Sequence, residues 1–228
     1  GDLNAQIGSV STAERRILEL LDHYDVDTLL AVIDGILSAT ERQVRQFISD
    51  WPDGVFRGVS YVDDDGFDSE MIPIRAEVTI EGDAMKIDLS ESSDQVTGFI
   101  NSAYANTRSI AHAAIMYLAP YDVAKNEGSM GPLSVVAPRG LIVNANPPAP
   151  VCMSTNHCAE EIIEAVFKAL ANAVPQAVNA GFSRRLRYAI TGTDPRTGRY
   201  FIWHFFMARG GGGASLGFDG WTCVGEVN

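Results

Sequence analysis

The apolar residues of this chain keep a helical period as far as Pro52-Asp53-Gly54 and a strand period beyond it, so two kinds of architecture meet at one breaker. Before the breaker, Ser11 with Glu14 three residues later forms a capping-box pattern. Ile17, Leu18, Leu20 and Leu21 then put an apolar stripe on a short helix ending near Tyr24. Asp27 is the expected cap of a second helix, whose Leu29, Leu30, Val32, Ile33, Ile36, Leu37, Val44, Phe47 and Ile48 recur at i, i+3 and i+4. Residues 1–54 therefore read as a helical hairpin suited to packing or subunit contact, with Glu41, Arg42 and Arg45 as its solvated face. After Gly54 the alternation is strict. Val55 to Val62 reads as a strand. Ile74, Ala76, Val78 and Ile80 alternate with Arg75, Glu77, Thr79 and Glu81 up to a turn at Gly82-Asp83, and Met85, Ile87 and Leu89 alternate on the return. That is an antiparallel hairpin with one wet face.

Further along, Asn106 or Thr107 is placed to cap a helix through Leu118, which Pro120 ends. Short strands are expected at Leu133 to Val136 and Leu141 to Val143. Asn146-Pro147-Pro148-Ala149-Pro150 can only be an extended connector. Thr155 or Asn156 is placed to cap a helix with the stripe Ile162, Ile163, Val166, Phe167, Leu170 and Val174. A last hairpin pairs Tyr188 to Thr193 with Tyr200 to Phe206 around Asp194 to Gly198. Runs of helix and strand without a βαβ rhythm or a repeat give an α+β class, with a helical hairpin over 1–54 and a mixed α+β domain over 55–228.

The charge balance narrows function. Twenty-nine acidic residues against 17 basic ones leave a formal net charge of -12. The densest basic stretch is the short Arg184-Arg185-Leu186-Arg187, which excludes a nucleic-acid or anionic-membrane footprint. No apolar run approaches the roughly 18 residues of a membrane span, and no basic-then-apolar leader opens the chain, so a cytosolic location is expected. Cys152, Cys158 and Cys223 are an odd number in a chain long enough to bury a core, which favours reduced thiols. The opening Gly1-Asp2-Leu3 has no initiator Met, and the chain is expected to be a piece of a larger subunit.

The best local chemistry sits in Ser154-Thr155-Asn156-His157-Cys158-Ala159-Glu160-Glu161, where a proline-rich connector enters a helix and frees backbone N–H groups. His157 and Glu161, four apart, are expected on one helix face, a spacing that suits two metal ligands or an acid/base pair. Glu160 and Glu161 read equally as first-turn carboxylates favoured by the helix dipole, and Cys158 as a packed thiol rather than a nucleophile. Asp63-Asp64-Asp65-Gly66-Phe67-Asp68 lacks the final bidentate Glu of a calcium loop and reads as an acidic turn. The run Gly210 to Gly213 lacks the Lys-Ser/Thr ending of a phosphate-binding loop. It reads as a tight glycine-lined wall or a loop packed under another subunit. His112 and His204, in apolar surroundings, read as core histidines. Arg108, near a loop, has the fork geometry to clamp a carboxylate, although an ion pair explains it as well.

Taken in order, Gly1-Asp2-Leu3-Asn4-Ala5-Gln6, Thr12-Ala13-Glu14-Arg15, Asp63-Asp64-Asp65-Gly66, Asn101-Ser102 with Thr107-Arg108-Ser109, Asn126-Glu127-Gly128, and Gly211-Gly212-Gly213-Ala214 leading to Asp219-Gly220 resemble the hydantoinase B/oxoprolinase family. The similarity covers essentially the whole chain. It implies part of a B-type subunit that works in a hetero-oligomer with an A-type partner. ATP and Mg bind to that partner, and the substrate is a small cyclic amide such as hydantoin, 5-oxoproline or a lactam. It also implies a divalent metal, Zn or Mn, in the full-length subunit, with ligands upstream of residue 1. His157, read from its own segment and not from the likeness, is the catalytic candidate, and Asn101, Arg108, Gly211 and Gly212, which lie in the motifs above, are the substrate-binding ones. Ser154 to Glu161 departs from the usual family segment, which leaves a ketone carboxylase of the acetone or acetophenone type as the alternative. A non-catalytic assembly module is the third reading.

Overall fold

A computed structural model describes residues 1–68, 70–181 and 185–222. The order of elements is α1 (Asp2–Leu21), α2 (Val26–Ser49), β1 (Gly54–Val62), β2 (Ile72–Glu81), β3 (Ala84–Asp88), α3 (Tyr104–Met116), a 3-10 turn (Glu127–Met130), β4 (Leu133–Val136), α4 (Ala159–Leu170), β5 (Arg185–Thr193) and β6 (Tyr200–Arg209). The fold is α+β, with one four-stranded and one two-stranded sheet.

Helix α1 starts at Asp2, nine residues before the expected cap, so Ser11 and Glu14 lie inside it and exposed. The capping-box pattern is a local signal. Here nothing before it breaks the helix, and Asp2 in the first turn complements the dipole. Helix α2 is capped by Asp25 rather than Asp27: Thr28 N donates to Asp25 Oδ1 at 2.7 Å. The carboxylate two residues earlier is the one whose extended backbone aims it at a free N–H.

The four-stranded sheet runs β1-β2-β3-β4, with antiparallel pairs β1/β2 and β2/β3 and a parallel pair β3/β4. The alternation places Ile72, Ile74, Ala76, Val78 and Ile80 on the buried face and Arg75, Glu77 and Glu81 on the other. Against the buried face lie Ile162, Ile163, Val166 and Leu170 of α4, Ala111 and Ile115 of α3, and Val44, Phe47 and Ile48 from the last turns of α2. The segment 141–143 forms only isolated bridges, Asp94 to Leu141 and Leu141 to Asn144, and is a turn rather than a strand. Its apolar residues are used instead to pack Ile142 and Val143 into the core.

Two close approaches fix the helices. At Gly58 of β1 a Cβ would overlap the Ala165 carbonyl oxygen and the Ala169 nitrogen, so α4 lies directly on β1 backbone. Beside it, Ser60 Oγ donates to Glu164 Oε2 at 2.7 Å. At the far end of the sheet Asn126 accepts from Gly128 N at 2.9 Å and donates to Thr40 Oγ1 at 2.9 Å. Gly128 meanwhile sits against the Leu37 carbonyl, and the lower half of α2 is docked there. Arg45 bridges Glu41 and Asp83 at 2.7 and 3.0 Å, so part of the expected solvated face ties α2 to the β2–β3 turn.

Helix α3 has Ala103 rather than Asn106 or Thr107 at its N-cap, with no side-chain cap. Thr107 is turned inward and donates to the Val143 carbonyl, while Asn106 reaches Ser154 O at 3.1 Å. His112 on this helix is 4 % exposed, and neither ring nitrogen has a hydrogen-bond partner among the described residues. Burial, and then the positive charge of Arg108, push its pKa down from 6.5 to about 4. The folded chain thus holds His112 neutral where the unfolded chain would protonate it. Its share of the stability is fully present above pH 6.5 and is lost as pH falls toward 4, by up to about 3 kcal/mol. Urea unfolding at neutral and at mildly acid pH should show that loss in the unsubstituted chain. The His112→Leu chain should lose that much less.

Candidate functional site

The site is built where the connector ending at Pro150 turns into α4. Met153 N donates to Phe99 O at 3.1 Å, and His157 N and Asn156 N both donate back to Met153 O, at 3.0 and 2.9 Å. The chain is thereby coiled into turns ahead of the helix. The N-cap is Cys158, with φ 41 and ψ -46, rather than Thr155 or Asn156. It is the one non-glycine with positive φ among the described residues, a conformation that L side chains adopt only under constraint. Its thiol is completely buried, 3.8 Å from the Ile142 carbonyl. Burial, followed by the negative charge of Glu161, pushes that thiol far up, so it stays protonated. Cys152 is exposed, and Cys223 lies outside the described residues.

This kink corrects one expectation. His157 precedes the N-cap and does not share a helix face with Glu161. The two still meet, because His157, Glu160 and Glu161 line one cavity of about 500 Å³ together with Asp63, Asp64, Asp65, Phe99 and Ile100. Glu160 and Glu161 are 2 % and 1 % exposed, and His157 is half-buried. The first-turn position does suit a carboxylate, and here it also faces a cavity.

The acidic turn is organised by Asp65. Its Oδ1 accepts from Phe67 N and Asp68 N at 2.9 and 2.8 Å, and its Oδ2 accepts from Gly98 N at 2.9 Å. These backbone donors, Asp68 first, hold its carboxyl below the usual range. The acidic-turn reading of 63–68 matches this bonding. Among the described residues no three His, Cys, Asp or Glu side chains converge as a metal site. The described side chains around this cavity do not by themselves fit a bound metal.

Asn101 is fully buried. Its Oδ1 accepts from Val96 N at 2.8 Å, and its Nδ2 donates to Val96 O, Gly98 O and Pro150 O at 2.8, 2.9 and 3.1 Å. It ties the cavity wall at Phe99 and Ile100 to the connector. An Asn101→Ala chain should lose about 2 kcal/mol of stability in urea unfolding, because buried backbone groups lose their partners.

Arg108 is exposed on α3, and neither it nor Gly211 nor Gly212 lines the cavity of His157. The glycine run packs against its own chain. Gly212 N donates to Trp221 O at 2.8 Å, a Cβ on Gly213 would overlap the Ala180 carbonyl, and one on Gly211 would come within 2.9 Å of Trp221 O. Ala214, Ser215 and Leu216, which follow the run, line another cavity of about 400 Å³ together with Phe167 and Asn179. The side chain of His204 lies outside the described residues. Phe99, Ile100 and the turn at 63–65 were not legible as one site, since residues so far apart in sequence carry no common spacing.

Comparison with known proteins then adds what geometry alone does not. A family profile described as hydantoinase B/oxoprolinase matches residues 1–228. Caprolactamase subunit beta of Pseudomonas jessenii is 36% identical over 230 residues, which is 100% of this chain and 39% of that protein. The crystal structure of the ATP-dependent caprolactamase from Pseudomonas jessenii superposes with a TM-score of 0.84 at 35% identity, over 99% of this chain and 39% of that one. A 5-oxoprolinase of Pestalotiopsis fici, PfmaA, is 27% identical over 98% of this chain and 17% of its own length. Acetone carboxylase in a nucleotide-free structure shares the fold, with a TM-score of 0.72 at 17% identity over 93% of this chain and 31% of that one. The chain thus spans about two fifths of the caprolactamase subunit it matches. No helix among its described residues is long and apolar enough to cross a membrane.

Proposed function

Because this chain belongs to the hydantoinase B/oxoprolinase family, we propose that it forms part of a B-type subunit that opens a cyclic amide in an ATP-dependent complex. The observation that carries this reading is the likeness to caprolactamase subunit beta along the whole chain, which favours a lactam over the other cyclic amides. ATP and Mg belong to an A-type partner subunit in a hetero-oligomer. A divalent metal, Zn or Mn, belongs to residues outside this chain.

In this reading the carbonyl oxygen takes the γ-phosphoryl group of ATP at the partner and ADP leaves; water then adds to the carbonyl carbon, the ring C–N bond breaks to free the amine, and a second water hydrolyses the resulting acyl phosphate to the carboxylate and inorganic phosphate. His157 takes a proton from the attacking water and returns one to the departing nitrogen. Proton transfer of this kind is typically worth about 10² to 10⁴ in rate. Glu160, Glu161 and the 63–65 turn line the same cavity as His157. Asn101 acts as a positioning residue by holding the Phe99–Ile100 wall. Arg108, Gly211 and Gly212 act as substrate-binding groups contributed from outside this cavity.

The test is ATP hydrolysis by the full-length subunit assembled with its A-type partner, offered a lactam, hydantoin, 5-oxoproline, or a ketone with bicarbonate. Stimulation by a cyclic amide with ring-opened product is expected. Stimulation by the ketone with bicarbonate alone would replace this reading with the carboxylase one, and no stimulation by any carbonyl compound would leave an assembly module.

A further inference from the structure

Regular secondary structure does not hold His157 in place. Residues 152–158 are turns, and the helix that follows opens at Cys158, whose side chain makes no capping bond. Proton transfer nevertheless needs the imidazole at one position, since about 1 Å of misplacement can cost a factor of about 100 in rate. The turn is fixed by its contact with the opposite wall of the cavity. His157 N donates to Met153 O at 3.0 Å, and Met153 N donates to Phe99 O at 3.1 Å. Phe99 follows Gly98, whose N–H donates to Asp65 Oδ2 at 2.9 Å. A continuous path of backbone and hydrogen bonds therefore leads from the buried Asp65 carboxylate to the backbone of His157. The Ser154 carbonyl is held separately by Asn106 Nδ2 at 3.1 Å, which ties the turn to α3 and not to the cavity wall.

We propose that Asp65 is a positioning residue for His157: its carboxylate seats the Gly98–Phe99 segment, and the turn that carries the imidazole is anchored on that segment. This rests on His157 being the proton carrier in the reaction. Gly98 is gripped through both of its backbone groups, because its carbonyl accepts from Asn101 Nδ2 at 2.9 Å. It is also the residue that lets the two loops meet, since a Cβ there would lie 2.1 Å from the Asp65 carbonyl oxygen. The two carboxylate oxygens have separate work. Oδ1 accepts from Phe67 N and Asp68 N and shapes its own turn, while Oδ2 reaches across to Gly98. Asparagine separates these tasks. Its amide oxygen keeps the bonds of the turn, and its NH2 group then faces the Gly98 N–H, donor against donor. Asp65→Asn thus breaks the bridge and spares the turn.

The experiment measures kcat for ring opening by the complete assembly in the unsubstituted protein, Asp65→Asn, His157→Ala and the double variant. Asp65→Asn is expected to lower kcat by about 10- to 100-fold with KM for ATP unchanged. Once His157 is alanine, it should lower kcat by less than about twofold further. Equal losses in both backgrounds would make Asp65 a general structural residue and overturn the proposal. Unchanged turnover of Asp65→Asn beside a slow His157→Ala would overturn it as well, and leave the role of His157 standing. Unchanged turnover of His157→Ala would remove that role and this inference with it. Amide hydrogen exchange gives a readout without turnover. In Asp65→Asn the amides of Gly98, Met153 and His157 should exchange faster while those of β2 keep their rates, and acceleration throughout the chain or at Gly98 alone would contradict the path. If Asp65→Asn does not assemble, the unsubstituted complex decides: these amides are expected to open as one unit, and independent rates would overturn the proposal.

Discussion

A chain carrying Gly58→Ala should unfold at a far lower urea concentration than the unsubstituted chain, with roughly 4 kcal/mol of stability lost. The cost comes from a backbone contact, not from a backbone conformation. The added methyl would have to occupy the space of the Ala165 carbonyl oxygen and the Ala169 nitrogen, and neither can move without shifting α4. Helix α4 also contributes Ile162, Val166 and Leu170 to the core, so moving it opens packing over β1 and β2 at once. The same shift would pull Glu164 from Ser60 Oγ. Gly82→Ala offers the contrast. That glycine has φ +60 in a turn with open space around it, so its substitution strains one residue and should cost about 1 kcal/mol. Equal losses at the two positions would contradict the account of how α4 is seated.

Much of this fold was legible because its core faces obey simple periods. The change from 3.6 to 2 at Gly54 separates the helices from the sheet, and the alternation from Ile74 to Ile80 places the buried face correctly. The boundaries were less legible, for a physical reason. Caps are decided by backbone geometry, and Asp25 and Asp27 offer the same side chain at different φ and ψ. The parallel pairing of β3 with β4 joins residues almost fifty apart, and no local pattern encodes it. Asn126-Glu127-Gly128 and Gly211-Gly212-Gly213 were readable as motifs of a resemblance, but their work is close packing: Gly128 on the Leu37 carbonyl and Gly213 on Ala180.

The candidate site shows the same limit more sharply. His157, Glu160 and Glu161 were visible as one local cluster, whereas the φ of 41 at Cys158 that lifts His157 off the helix leaves no trace in residue spacing. Asn101 was expected to bind substrate, but it is fully buried and does not line the cavity. Its four hydrogen bonds to backbone mark it as a residue that shapes the cavity from behind.

The second large effect concerns His157 itself. Truncated to alanine, the cavity keeps its carboxylates and loses its proton carrier, while the fold keeps every buried apolar contact because His157 is not part of the core. Turnover should therefore fall by about 10² or more with little change in unfolding midpoint. The direct measurement is kcat for ring opening by the complete assembly, with and without His157→Ala, in protein whose unfolding curve is unchanged. A loss of about 100-fold or more is the result this account predicts, and unchanged turnover would contradict it and return His157 to a turn residue ahead of α4.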